Sequence, residues 1–76
     1  MDRMTRIGFY GRLAELYGRE VEIDLPGDIT VRELRARFDG LDAATVRALV
    51  NDQITGEDAP VSAGDRVDFL PPLSGG

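Results

Sequence analysis

The residues best suited to chemistry stand together at the end of the chain, where Phe69-Leu70-Pro71-Pro72-Leu73-Ser74 runs into Gly75-Gly76. A glycine pair leaves the final carboxylate unshielded by any side chain, on a stalk thin enough to enter another protein's active site. Pro71 and Pro72 lack amide donors and fix φ, so they end the preceding strand and hold the residues after them in an extended, polyproline-like state. Six residues from Pro71 to Gly76, at about 3.3 Å each, reach on the order of 20 Å from the body. The expected organisation is a folded domain over residues 1–70 and a working tail over 71–76.

The remaining composition excludes most other chemistry. The 76 residues include no cysteine and no histidine. A disulfide framework, a zinc thiolate site and a cysteine persulfide are therefore ruled out, as are the usual neutral-pH acid–base group and the commonest metal ligand. All nine basic residues are arginine. Without lysine there is no Schiff-base chemistry, and the N-terminal amine is the only internal acceptor for an isopeptide-like bond. Catalysis by this chain alone is not expected. The net charge of −5, with both signs interspersed, argues against a nucleic-acid partner. No apolar run has the length of a membrane span, and the first residues lack the apolar core of a signal peptide, so a cytoplasmic location is expected. Met4, just ahead of the first element, is an alternative start to Met1.

These features require a small scaffold to present the tail. Residues 6–10 alternate, with Ile7 and Phe9 on one face and Arg6, Gly8 and Tyr10 on the other, as in a first strand. Between Gly11 and Gly18, Leu13, Leu16 and Tyr17 predict a turn or two of helix or a tight loop. In the next strand Val21, Ile23 and Leu25 oppose Glu20, Glu22 and Asp24, and Pro26-Gly27-Asp28 forms a turn. Thr30 and Glu33 spell a capping box, and Ile29 with Leu34 a hydrophobic staple, at the start of a helix reaching to Gly40. Its buried face is Val31, Leu34 and Phe38, while Arg32, Arg35 and Arg37 read as a solvated face. Residues 41–45 suggest a short helical turn before a strand at 47–50, a turn at Asn51-Asp52 and a brief return strand opening at Ile54. Residues 56–60 read as a loop and Ser62-Ala63-Gly64-Asp65 as a turn. The last strand, 66–70, puts Val67 and Phe69 inward and Arg66, Asp68 and Leu70 outward.

This order predicts an α+β domain, one mixed sheet with the main helix packed on one face. The expected core is Ile7, Phe9, Val21, Ile23, Leu25, Leu34, Phe38, Val67 and Phe69. Tyr10 and Leu70 then project from the opposite face near the root of the tail, with Ile54 joining them in a candidate protein contact. The acidic stripe of Glu20, Glu22 and Asp24, like Glu57-Asp58 in its loop, lacks a closing partner for a metal and reads as solvated surface. A surface for a basic partner is the second reading. Neither a Walker loop nor a dinucleotide fingerprint occurs.

The length, the element order, Val50-Asn51 before a loop, Gly64-Asp65-Arg66-Val67 entering the last strand, and the tail Phe69 to Gly76 resemble the small subunits of molybdopterin synthase. These are ubiquitin-like sulfur carriers of β-grasp fold in the MoaD/ThiS superfamily. The stretch from Phe38 to Arg47 is short for that family, which bears on whether a second helix forms there. The resemblance implies that an ATP-dependent adenylyltransferase (MoeB-like) activates the Gly76 carboxylate and that sulfur from a donor protein replaces AMP to leave a thiocarboxylate. That sulfur is then passed, within the large (MoaE-like) subunit, to cyclic pyranopterin monophosphate, giving the dithiolene that later holds molybdenum. Gly75 is on this reading the slim spacer. Pro71, Pro72, Leu73 and Ser74 seat the tail in a channel, and Tyr10, Ile54 and Leu70 match an apolar docking surface. The chain itself binds no metal or cofactor on this view. Carriers for thiamin thiazole, tRNA thiolation or cysteine synthesis, and ubiquitin-like modifiers, are the alternatives.

Overall fold

A computed structural model describes residues 4–25, 27–39 and 41–72. The expected turn residue Pro26, the expected helix stop Gly40 and the tail residues Leu73, Ser74, Gly75 and Gly76 lie outside them. The described elements are β1 (Met4–Phe9), α1 (Arg12–Tyr17), β2 (Glu20–Asp24), β3 (Ile29–Thr30), α2 (Val31–Arg35), β4 (Arg47–Val50), β5 (Gln53–Ile54), β6 (Pro60–Val61) and β7 (Arg66–Leu70). Five strands form one sheet in the order β2-β1-β7-β4-β5, and β3 pairs with β6 separately. The first and last strands, β1 and β7, lie parallel at the centre, and the other pairs are antiparallel.

Alternation decides which side chains enter the core. Ile7 pairs with Val67 and Phe9 with Phe69 across the parallel ladder, and all four are buried. Phe9 is also the hub of an aromatic cluster, its ring centroid 4.9 Å from Tyr17, 5.2 Å from Phe38 and 5.9 Å from Phe69. Leu25 and Leu34 are buried as expected, whereas Val21, Ile23 and Phe38 pack against the core only partly covered. Leu13, Val31, Leu41, Val46, Ala48 and Val61 complete the buried set. Val31 stands on the helix face expected to be buried, whereas Leu41 and Val46 lie outside the regular elements and Val61 in a two-residue strand too short to display a period.

The turns obey their local chemistry. Asn51 and Asp52 both have positive φ, the geometry that matches the twist of a two-residue hairpin. The Asn51 side chain donates to Asp65 and accepts from the Arg66 amide, tying this hairpin to the start of β7. Residues 41–45 supply one turn, closed by the Val46 amide on the Asp42 carbonyl at 2.7 Å, and no helix follows α2 among the described residues.

Four expectations change. Helix α2 ends at Arg35, and the amides of Arg37 and Phe38 bond the carbonyls of Leu34 and Arg35 three residues back. This tighter winding carries Phe38 toward Phe9 and Tyr17. Arg35, expected on a solvated face, is 7% exposed. Its Nε donates to both oxygens of Glu57 at 2.8 and 2.9 Å, and its guanidinium lies 5.4 Å from the centre of the Phe69 ring. The loop holding Glu57, expected to be solvated, caps the same helix. The carbonyls of Glu57 and Ala59 accept from the amides of Arg32 and Val31, which have no partner within the helix. That docking also makes Pro60–Val61 a strand instead of the end of a loop.

The capping box forms: the Thr30 hydroxyl accepts from the Glu33 amide and the Glu33 carboxylate accepts from the Thr30 amide. The Glu33 carboxyl is held below the usual carboxylate range, first by the Thr30 amide and then by its hydroxyl. A depressed folded-state pKa contributes stability above the unfolded-state value, and that contribution disappears as pH falls through the folded one. Thr30→Ala is expected to raise the Glu33 pKa toward that of a free glutamate, as read by NMR titration of its side chain. Arg35→Ala is expected to cost roughly 2–3 kcal/mol in denaturant melts, somewhat below a fully buried pair because the Glu57 side chain is 25% exposed. The exposed Arg37→Ala is expected to stay within about 0.5 kcal/mol of the parent.

Candidate functional site

The pairing register places the outward residues in rows across the second sheet face. One row runs Glu20, Gly8, Asp68, Leu49, Ile54, because each is the direct partner of the next. The neighbouring row, one residue beyond the Phe9–Phe69 pair, holds Tyr10, Leu70 and Arg47. The residues singled out from the sequence, Tyr10, Ile54 and Leu70, thus share a face. Tyr10 is 44% exposed, Ile54 69% exposed and Leu70 half-buried. Leu49 fills the gap between Leu70 and Ile54. Its signal is present in β4, where Ala48 and Val50 alternate with Arg47 and Leu49, but a four-residue strand does not declare which face is inside.

The other half of the face is charged. Arg66 bonds Glu20 at 2.9 Å and Asp68 at 3.1 Å, and the Tyr10 hydroxyl donates to Asp68 at 3.0 Å. Asp68, expected to point outward, does so and is nonetheless 5% exposed, because Arg66 and Tyr10 lie over it. Gly8 makes this possible. A Cβ there would collide with the Asp68 carboxylate and stand 2.8 Å from Arg66 Nη2. The network keeps Arg66 charged well above the usual range, the hydrogen bond to Glu20 contributing most. It also anchors the Tyr10 ring beside the end of β7.

The root of the tail is set by Gly11. Tyr10 to Leu13 form a turn closed by the Leu13 amide on the Tyr10 carbonyl, with Gly11 at φ 56 and ψ −130, a combination open essentially to glycine. Pro71 sits against it, its Cγ 3.2 Å from where a Gly11 Cβ would be. Pro71 is half-buried and Pro72 exposed, so the described chain leaves the sheet past the N-terminus of α1. Gly75 and Gly76, with Leu73 and Ser74, lie beyond the described residues. Among the described residues no group of three acidic side chains could hold a metal ion. No described helix is long and apolar enough to cross a membrane.

Residues 7–76 match the ThiS family. The chain is 32% identical to the molybdopterin synthase sulfur carrier subunit of Escherichia coli, an alignment covering 96% of this chain and all of that protein. Its fold is similar to small archaeal modifier protein 1 of Haloferax volcanii, with a TM-score of 0.74, 26% identity, and coverage of 92% of this chain and 98% of that one. A chain of the complex of subunits 1 and 2 of the molybdopterin-converting factor of Helicobacter pylori aligns at a TM-score of 0.64 and 25% identity, covering 96% and 99%. The fold is thus the ubiquitin-like β-grasp. The chain belongs to the ThiS family, as a sulfur carrier of the MoaD/ThiS type homologous to the molybdopterin synthase subunit.

Gly11→Ala is expected to destabilise the domain by about 1–3 kcal/mol through backbone strain and to shift the NMR signals of Leu70 and Pro71. Gly18→Ala meets a positive φ of 96 as well but nothing within 4 Å, so it should destabilise without moving those signals.

Proposed function

We propose that this chain is the sulfur-carrying subunit of a molybdopterin synthase. The observation that carries the reading is the full-length similarity to the E. coli carrier, together with a last strand that delivers Pro71-Pro72 past Gly11 at one end of the sheet. In this proposal an adenylyltransferase (MoeB-like) joins the Gly76 carboxylate to AMP and releases pyrophosphate from ATP. A carboxylate is a poor electrophile, and the mixed anhydride with AMP provides a leaving group. Hydrosulfide supplied by a donor protein attacks the acyl carbon, the bond to the AMP oxygen breaks, and AMP leaves as the thiocarboxylate forms. In this reading Gly75 and Gly76 fit a narrow channel for want of side chains, Pro71 and Pro72 favour an extended approach, and Leu73 and Ser74 contact the partner. The acceptor is cyclic pyranopterin monophosphate within a large (MoaE-like) subunit. The Helicobacter pylori complex supports such a partner, and the face bearing Tyr10, Leu70, Leu49 and Ile54 is the proposed docking surface.

The chain supplies the acyl group, and the partners supply ATP binding, the donor sulfur and the pterin site. The absence of cysteine and lysine suits this task, since no side chain of the carrier competes for its own activated carbonyl. The likeness to the Haloferax volcanii modifier favours protein modification as the second reading.

Incubation with ATP, a sulfur source and a cognate adenylyltransferase is expected to replace one oxygen by sulfur at Gly76, read by intact mass and fragment mass spectrometry. One residue added after Gly76 should abolish the change. Gly76 recovered attached to lysines of other proteins would favour the modifier. An unchanged mass, with the enzyme active on another carrier, would remove the carrier reading.

A further inference from the structure

The outer edge of β2 is the longest strand edge left open among the described residues. The phase of its ladder is given by one bond, the Phe9 amide on the Arg19 carbonyl at 2.9 Å, which extends the register of β1 with β2. Arg19, Val21 and Ile23 therefore direct their backbone groups toward β1, and Glu20, Glu22 and Asp24 direct theirs away from the sheet. Three amides and three carbonyls thus face outward along one edge. Proline, lysine and a bulge, which often blunt such an edge, are missing from β2, whose register continues unbroken over five pairs; its protection is the acidic charge of Glu20, Glu22 and Asp24.

Two further observations describe what fits there. Val21 and Ile23 lie on the core face yet remain half-exposed, because the sheet stops at β2 and nothing covers their outer side. Glu20, Glu22 and Asp24 stand on the opposite face at the positions an added strand would meet directly. Glu20 and Glu22 are held in place from behind by Arg66 and Arg6. A second copy added antiparallel would set Glu22 against Glu22 and Glu20 against Asp24, a like-charge arrangement that disfavours self-pairing.

We propose that the free edge of β2 accepts an extended segment of another protein in which arginine or lysine alternates with β-branched apolar residues. The apolar side chains of that segment finish the cover over Val21 and Ile23, its basic side chains pair with the acidic stripe, and its backbone bonds Glu20, Glu22 and Asp24. This site lies on β2, at the far side of β1 from β7 and the tail, and does not depend on the chemistry of Gly76.

The test uses the full chain with a capped peptide alternating arginine with valine and isoleucine, and a control of the same composition with its arginines in one block. Hydrogen exchange by NMR is expected to slow roughly tenfold or more at the amides of Glu20, Glu22 and Asp24 with the alternating peptide alone. Equal protection by the block peptide, or none by either, would overturn the proposal. So would protection that rises with protein concentration in the absence of peptide, which would identify self-pairing. Glu22→Pro removes an outward amide without touching the β1 ladder, so the variant should keep its fold and lose the protection. Binding retained by a folded Glu22→Pro would place the peptide elsewhere.

Discussion

The parallel pairing of β1 with β7 is the constraint on which the rest of this molecule depends. It joins the start of the chain to its end, stacks Ile7 on Val67 and Phe9 on Phe69, and brings Phe9 into contact with Tyr17 and Phe38. Parallel strands cannot be joined by a tight turn, so the residues between them form one long connection that carries the rest of the domain. The same pair sets the direction of the tail. Residues after Phe69 continue along β1 until they meet Gly11, where the turn of Tyr10 to Leu13 provides a surface against which Pro71 rests.

The two faces of the sheet use the central pair differently. On the inner face the paired side chains are apolar and buried. On the outer face Gly8 leaves room for the Arg66–Asp68 ion pair to lie flat across β1, joined by Glu20 and Tyr10. Burying Asp68 without partners would be costly; with Arg66 and Tyr10 in place its oxygens are satisfied and Tyr10 is held beside Leu70. A polar network on β2, β1 and β7 thereby adjoins an apolar strip of Leu49, Ile54 and Leu70.

Much of the fold is legible in the sequence, and the parts that are not share a cause. The strands at 20–24, 47–50 and 66–70, the capping box of Thr30 and Glu33, and the turn at Asn51-Asp52 all stand where the pattern puts them. Each is written in residues within a few positions of one another. Arg35 lies by helical period beside Val31 and Leu34, yet an arginine there reads as surface until its partner Glu57 arrives from 22 residues away to pair with it. The short strand β6 is hidden for the same reason, since it exists only because residues 57–61 return to cap α2. Leu49 alternates with Ala48 and Val50 in the sequence, but which of the two faces is the outer one depends on the strands that flank β4.

The sequence by itself determined the chemistry that this protein can carry. Without cysteine, histidine or lysine no side chain offers a strong nucleophile or a neutral-pH base, and the sequence Pro-Pro-Leu-Ser leads to two glycines. Local periodicity determined the elements, because the polypeptide's repeats of 2 and 3.6 residues sort side chains without reference to the rest of the chain. Only the tertiary structure decided that β7 lies beside β1, that Asp68 is covered, that Arg35 is internal, and that Gly11 receives Pro71. Those outcomes rest on contacts between residues tens of positions apart, such as Tyr10 with Asp68 across 58. No local pattern encodes such contacts, since they form only when the whole chain has closed around its core.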